Sequence, residues 1–194
     1  MEPNSPLEPY SLSISILVGG RKGKALRGVH MEKKSAGILM YRFREGNLEV
    51  FLVHPGGPFW QKRDAGAWSI PKGEIEEGGD PLETARRELH EEAGFEIEGE
   101  MRPLAPVKQA GGKLVYGWAV EGDCDPNQIR SNLFAMEWPP HSGKQAEFPE
   151  VDRAAWYSIA EAREKLVSGQ RGLLDQLLTL LALRCNAPFE VRCT

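Results

Sequence analysis

The chain has 194 residues, 41% hydrophobic and 27% charged, which suits one soluble domain with a sizeable core. A formal net charge of -4 argues against general nucleic-acid binding, and no apolar run reaches the length of a membrane span. Cys124, Cys185 and Cys193 show neither CxxC spacing nor a nearby His pair, so a reduced, cytoplasmic chain is the simplest reading.

Residues 1–34 read as an N-terminal extension. The apolar run 11–18 is short for a signal-peptide core and lacks a charged segment before it, which excludes export. Residues 19–34 are rich in Gly, Arg and Lys. A disordered segment is the plain reading, and a phosphate- or acidic-partner-binding tail is the functional one. Because the domain pattern starts directly after Met31, translation from that residue is a further reading.

Residues 36–42 and 48–54 read as two strands joined by a polar turn at 44–47. A loop with Lys62 and Arg63 follows over 55–66, then a short strand at 68–70. Lys72 stands where a cation could meet a phosphate. Trp60 and Trp68 offer flat indole faces for stacking on a base or for packing.

The most informative stretch is 73–95, GEIEEGGDPLETARRELHEEAGF, a loop that turns into one short helix. Asp80 is a good N-cap, Pro81 fits the first helical position, Glu83 completes a capping box, and Gly94 stops the helix. Leu82, Ala85 and Leu89 fall at helical spacing toward a core. Glu88, Glu91 and Glu92 share one edge. The stretch holds eight acids and two basic residues, a charge of -6, so the rest of the chain carries about +2, from -4 minus -6. Like charges at this spacing destabilise an isolated helix. Arg87 can reach Glu91, but excess negative charge remains. The edge is either a solvated acidic face or a platform for hard divalent cations such as Mg2+ and the phosphates they hold.

Beyond the helix, 101–109 and 114–121 read as strands around a Gly111-Gly112 hairpin turn, with Trp118 aimed at the site or the core. Residues 122–150 form a long connection containing Trp138-Pro139-Pro140, of the kind that often serves as a lid or binding loop. Arg130, Asn132, Trp138, Lys144 and Gln145 are its candidates for substrate contact. Residues 151–157 read as a final strand, and Ser158 with Glu161 as a capping box opening a helix over 159–167. The Leu-rich 173–183 is a packing helix or a dimer face, which leaves monomer and homodimer open. The element order supports a mixed α/β or α+β domain.

Residues 73–95 resemble the Nudix box, G-x5-E-x7-R-E-U-x-E-E-x-G-U, where U is bulky and apolar. Gly73, Arg87, Glu88, Leu89, Glu91, Glu92, Gly94 and Phe95 fall in register, while Gly79 stands where the pattern has its first Glu. The resemblance implies an α/β fold, a Nudix-type α/β/α sandwich with a mixed sheet, over 35–182, with 183–194 as a tail. It implies a Mg2+-dependent pyrophosphohydrolase, with Mn2+ as substitute, acting on a nucleoside diphosphate linked to another moiety. It assigns Glu88, Glu91 and Glu92 to the metals, with the Gly73 carbonyl as a further ligand and Arg87 orienting the acids. The general base is then Glu91, Glu88 or an acid before the last strand, with Glu150 preferred over Glu147 and Asp152. Lys72, Trp68, Trp118 and Arg63 are the substrate-binding candidates. A small-molecule nucleotide is the expected partner, with no stable nucleic-acid binding and no membrane. NTPs and dinucleoside polyphosphates are favoured, and ADP-ribose, NADH, coenzyme A and capped RNA stay open. Gly79 keeps a weakly catalytic nucleotide sensor as the alternative. The Leu-rich C-terminus and basic N-terminus keep a scaffold role.

Overall fold

The structure is a computed structural model that describes residues 33–185. The expectations for 1–32 and for the end of the tail lie outside the described residues. The sheet is organised around β1 (Lys34–Arg44). Its residues are buried on both faces, with Ala36, Ile38 and Met40 on one side and Leu39 and Tyr41 on the other. A near-continuous apolar run is what such a central strand requires. Glu45 and Gly46 then take positive φ of 52° and 79°, a two-residue turn whose twist suits a tight hairpin. The chain returns as β2 (Asn47–Pro55), antiparallel to β1.

One edge of β1 pairs in parallel with β5 (Leu114–Glu121). The other edge is divided. Residues Tyr41–Arg44 pair with β2, while Ser35, Ala36 and Gly37 pair with β3 (Lys72–Glu74). With β4 (Arg102–Lys108) outside β5 and β8 (Val151–Ser158) outside β2, the path reads β4-β5-β1-β2-β8, and β3 joins β1 beside it. The sheet is mixed, as expected.

Helix α1 (Pro81–Ala93) covers one face, where Ala85, Leu89 and Ala93 meet Ile38, Met40, Phe51 and Val53. Helices α2 (Ile159–Lys165) and α3 (Arg171–Cys185) cover the other. There Ala162, Leu173, Leu174 and Leu177 are fully buried against Leu39, Val50 and Leu52. The result is the expected α/β/α sandwich. Its first strand begins at Lys34 and its last helix ends at Cys185. The Leu-rich segment packs on the sheet, although Leu178 and Leu183 stay exposed. Among the described residues no helix is long and apolar enough to cross a membrane.

Two expectations need correction. Residues 68–70 form only isolated bridges, Val53 to Ser69 and Trp68 to Leu166. The strand forms instead as β3, which runs from Lys72 into the box. The long connection also contains a separate antiparallel hairpin, β6 (Leu133–Glu137) and β7 (Gln145–Pro149). Each strand has five residues and no fully buried position, so the alternation is too short and too weakly apolar to stand out from a loop.

Candidate active site

The site forms where β3 passes beneath α1. Asp80 caps the helix by accepting from the Leu82 and Glu83 amides at 2.8 and 2.9 Å, which satisfies two of the free amides of the first turn. Gly94 ends it in the left-handed conformation at φ 75°, its amide bonded to the His90 carbonyl. These caps fix the rotation of the helix. Ala85, Leu89 and Ala93 then point into the core, and Glu88 and Glu92, one turn apart, point along the edge above β3.

Contacts between α1 and β3 set the carboxylates. A Cβ on Gly73 would lie 1.9 Å from Glu88 Cδ and 2.1 Å from each of its oxygens. The Glu88 carboxylate therefore rests on the Gly73 backbone, a position open only to glycine. Glu92 Oε2 accepts from the Lys72 amide at 2.8 Å. Arg87 donates at 2.7 Å to both Glu88 and Glu91, the charge-assisted contact expected of it.

Electrostatics mark the same cluster. Burial pushes Glu92 up to about 7, against the pull of the Lys72 charge and amide, with Glu88 and Glu150 adding to the rise. Glu88 is also raised, by burial first, opposed by Arg87 and reinforced by Glu91 and Glu150. Lys72 is lowered, by burial first, with Glu92 opposing. Glu150 is thus close enough for its charge to act on both box acids. Hydrogen bonds hold its backbone there, from its amide to the Asn132 carbonyl and from the Gly56 amide to its own carbonyl, both 2.9 Å. The Asn132 amide in turn bonds the Glu91 carbonyl at 3.2 Å, which ties the start of the hairpin to the helix.

Among the described residues no three acidic, His or Cys side chains stand as a ready-made metal cage, and Arg87 holds oxygens of two of the three box acids. The donor set nonetheless suits a hard divalent cation: carboxylate oxygens crowded against a glycine backbone, with Glu88 and Glu92 pushed toward the neutral acid by burial first and by neighbouring carboxylates second, a charge that a cation would offset.

The other candidates are sorted by the sheet. Trp118 is half-buried on the α1 face, packed on the cluster that includes Ile38 and Ala36. Trp68 is not available for stacking. It is 3% exposed among the α2 and α3 residues, its Nε1 donating to Asp64, because the face opposite α1 takes up its ring. Arg63 is engaged within the loop after β2. Its guanidinium lies 5.3 Å over the Trp60 ring, and its carbonyl bonds His54 Nε2 at 2.8 Å. Asp152 bonds His54 Nδ1 at 2.6 Å, Glu147 sits in β7 opposite Ala135, and it is the charge of Glu150 that adds to the rise of both Glu88 and Glu92. At Gly79 a Cβ would stand 3.1 Å from the Glu76 carbonyl oxygen, so a side chain there requires a small adjustment of the loop.

Sequence reading missed two participants. Lys113 reaches Glu74 at 3.5 Å and contributes to the charge around Lys72. His54, completely buried, joins the end of β2 to the following loop through Asp152 and Arg63. The only sequence signal for His54 was a polar residue closing an apolar strand. Beside Glu150, a cavity of about 550 Å³ opens between the loop after β2 and the β6–β7 hairpin.

The model of the NUDIX domain family matches residues 31–177. An RNA pyrophosphohydrolase of Bartonella bacilliformis is 30% identical over 154 residues, covering 72% of this chain and 85% of the relative. Among solved structures, the chain superposes on an Ap4A hydrolase binary complex from C. elegans with a TM-score of 0.53 at 23% identity, covering 77% of this chain and 98% of the other. It superposes on the NUDIX domain of Shewanella oneidensis NrtR complexed with ADP ribose with a TM-score of 0.54 at 16% identity, covering 77% and 88%. These two structural likenesses speak for the fold.

Proposed function

The chain belongs to the Nudix family, and from that premise we propose that this hydrolase cleaves a phosphoanhydride bond of a nucleoside 5′-polyphosphate with the help of Mg2+ or Mn2+. The observation that carries the reading is the placing of Glu88 and Glu92 on the Lys72–Gly73 backbone, within reach of the charge of Glu150. Glu88, Glu91 and Glu92, with the Gly73 carbonyl, would hold the cation. Bound there, it lowers the pKa of a coordinated water and offsets phosphate charge.

The chain's own residues supply the rest. Glu150, exposed and backbone-anchored at the edge of the cluster, is the group placed to take a proton from the attacking water. Arg87 holds two carboxylates in position, and the Lys72 amide orients the third. Lys72 and Lys113 provide positive charge at the β3 side of the cluster, where they can meet a polyphosphate. The products are the two phosphate-terminated halves of the substrate.

NTPs and dinucleoside polyphosphates are the substrates this reading favours. A second reading, the 5′-polyphosphate end of RNA, is favoured by the name of the Bartonella relative and involves the same bond. Replacing Glu92 by Gln tests the common core. Turnover should fall by about a hundredfold or more while circular dichroism shows an intact fold. Wild-type turnover in that variant would overturn the metal assignment.

A further inference from the structure

We propose that the cavity between the loop after β2 and the β6–β7 hairpin is the nucleobase subsite of this enzyme, with Trp138 as its stacking surface; this rests on the nucleoside-polyphosphate reading above. The cavity, about 550 Å³, is lined by Gly57, Gln61, Lys62, Trp138, Phe148 and Asp152, among others. That volume lies within the range of small-molecule sites. The wall combines flat apolar rings with a few polar groups, the combination that holds a base by its face and reads it by its edge. Lys62 can donate, and Gln61 can both donate and accept.

Its position follows from backbone packing. Phe148 and Pro149 of the wall precede Glu150, and the Gly56 amide, next to Gly57 of the wall, bonds the Glu150 carbonyl at 2.9 Å. The loop can lie against the hairpin only because two glycines allow it. A Cβ on Gly56 would lie 1.9 Å from the Pro149 carbonyl oxygen, and Gly57, at φ +87°, would place one 3.1 Å from the Phe134 ring. Phe59, 58% exposed, meets Trp138 edge-on at 5.4 Å between centroids. Phe59 thus buttresses the indole without itself being buried, and Trp138 stays half-buried at the cavity.

A larger cavity, about 950 Å³, lies at the hairpin end of β1 and β2. It is the weaker site for a base. Arg42 there is paired with Glu49 and Asp123 and lies 4.2 Å over the Trp156 ring, so its cation and its indole already satisfy each other.

The test is calorimetric binding, with Mg2+, of a non-hydrolysable bismethylene analogue of ATP and, separately, of methylenediphosphonate, which has no base. Wild-type protein is compared with Trp138→Ala and Trp138→Phe. The subsite predicts that Trp138→Ala weakens the nucleotide analogue by about tenfold or more, leaves methylenediphosphonate unchanged, and that Trp138→Phe retains most of the affinity. Equal weakening of both ligands, or no weakening of either, overturns the subsite. So does a wild-type protein that binds the nucleotide analogue no better than methylenediphosphonate. Hydrolysis that still depends on Glu92 would then leave the proposed chemistry standing.

Discussion

At Gly73 the absence of a side chain decides where a carboxylate lies. An alanine there would place its methyl carbon 1.9 Å from Glu88 Cδ, and the Glu88 side chain would have to leave. Gly73→Ala should therefore bind Mg2+ more weakly and lose most turnover while α1 stays folded, which isothermal titration with the metal and helical ellipticity together would establish. Glu92 carries a second residue-scale consequence. Its carboxyl rises from an ordinary 4.5 to about 7 on folding, so the folded state favours the neutral acid. That contribution is fully present below pH 4.5 and is lost as the pH climbs through about 7. The span corresponds to roughly 3 kcal/mol at 1.36 kcal/mol per unit. Metal-free Glu92→Gln should accordingly unfold at higher temperature than wild type at pH 8 and at nearly the same temperature at pH 4.5. A difference independent of pH would mean that Glu92 is not held in this way. The Glu88, Glu91 and Glu92 edge was legible in the sequence because helical spacing dictates it. The resting place of Glu88 on Gly73 was not, since that contact depends on how close β3 comes to α1.

The elements around the cluster differ in how tightly they are held. Helix α1 has both ends capped and three core residues at successive turns. The caps, Ala85 and Leu89 were visible in the sequence, whereas Leu82 is only half-buried and Ala93 takes the third place. The loop after β2 has no such signal. It is fastened by His54, which bridges Asp152 in β8 and the Arg63 carbonyl. His54→Ala leaves a cavity and two unpaired partners, so it should cost about 2 to 4 kcal/mol in a urea titration. It should also raise KM more than it lowers kcat, because the freed loop forms one wall of the cavity rather than the carboxylate cluster. Equal loss in both parameters would place His54 closer to the chemistry than the structure does. The hairpin escaped notice for a different reason. Its strands are short and only partly buried, so pairing with each other, not hydrophobic periodicity, defines them. Trp68 misled in the opposite direction. An indole beside a phosphate-binding motif suits a base or a core equally well, and only the placement of α2 and α3 decides for the core.

Across the whole molecule, the divided edge of β1 creates the site. Where β2 leaves β1, β3 takes its place, and the box loop enters the sheet beneath its own helix. The last strand, β8, then delivers Glu150 from far along the chain to the same corner. The order of strands and helices announced an α/β domain, and the box announced the family. The meeting of Glu150 with Glu88 and Glu92 is a long-range contact that no local pattern encodes. The central claim is that this corner hydrolyses phosphoanhydrides with a divalent cation, and the most direct measurement is a product-resolved hydrolysis screen in Mg2+. The panel would hold NTPs, dinucleoside polyphosphates, ADP-ribose, NADH and 5′-triphosphorylated RNA, each with wild type, Glu92→Gln and chelator. The account predicts that at least one nucleoside polyphosphate is split at a phosphoanhydride by wild type, and that both chelator and the substitution abolish the reaction. Binding of nucleotide and metal without cleavage of any member would contradict it and leave Gly79 as the mark of a sensor.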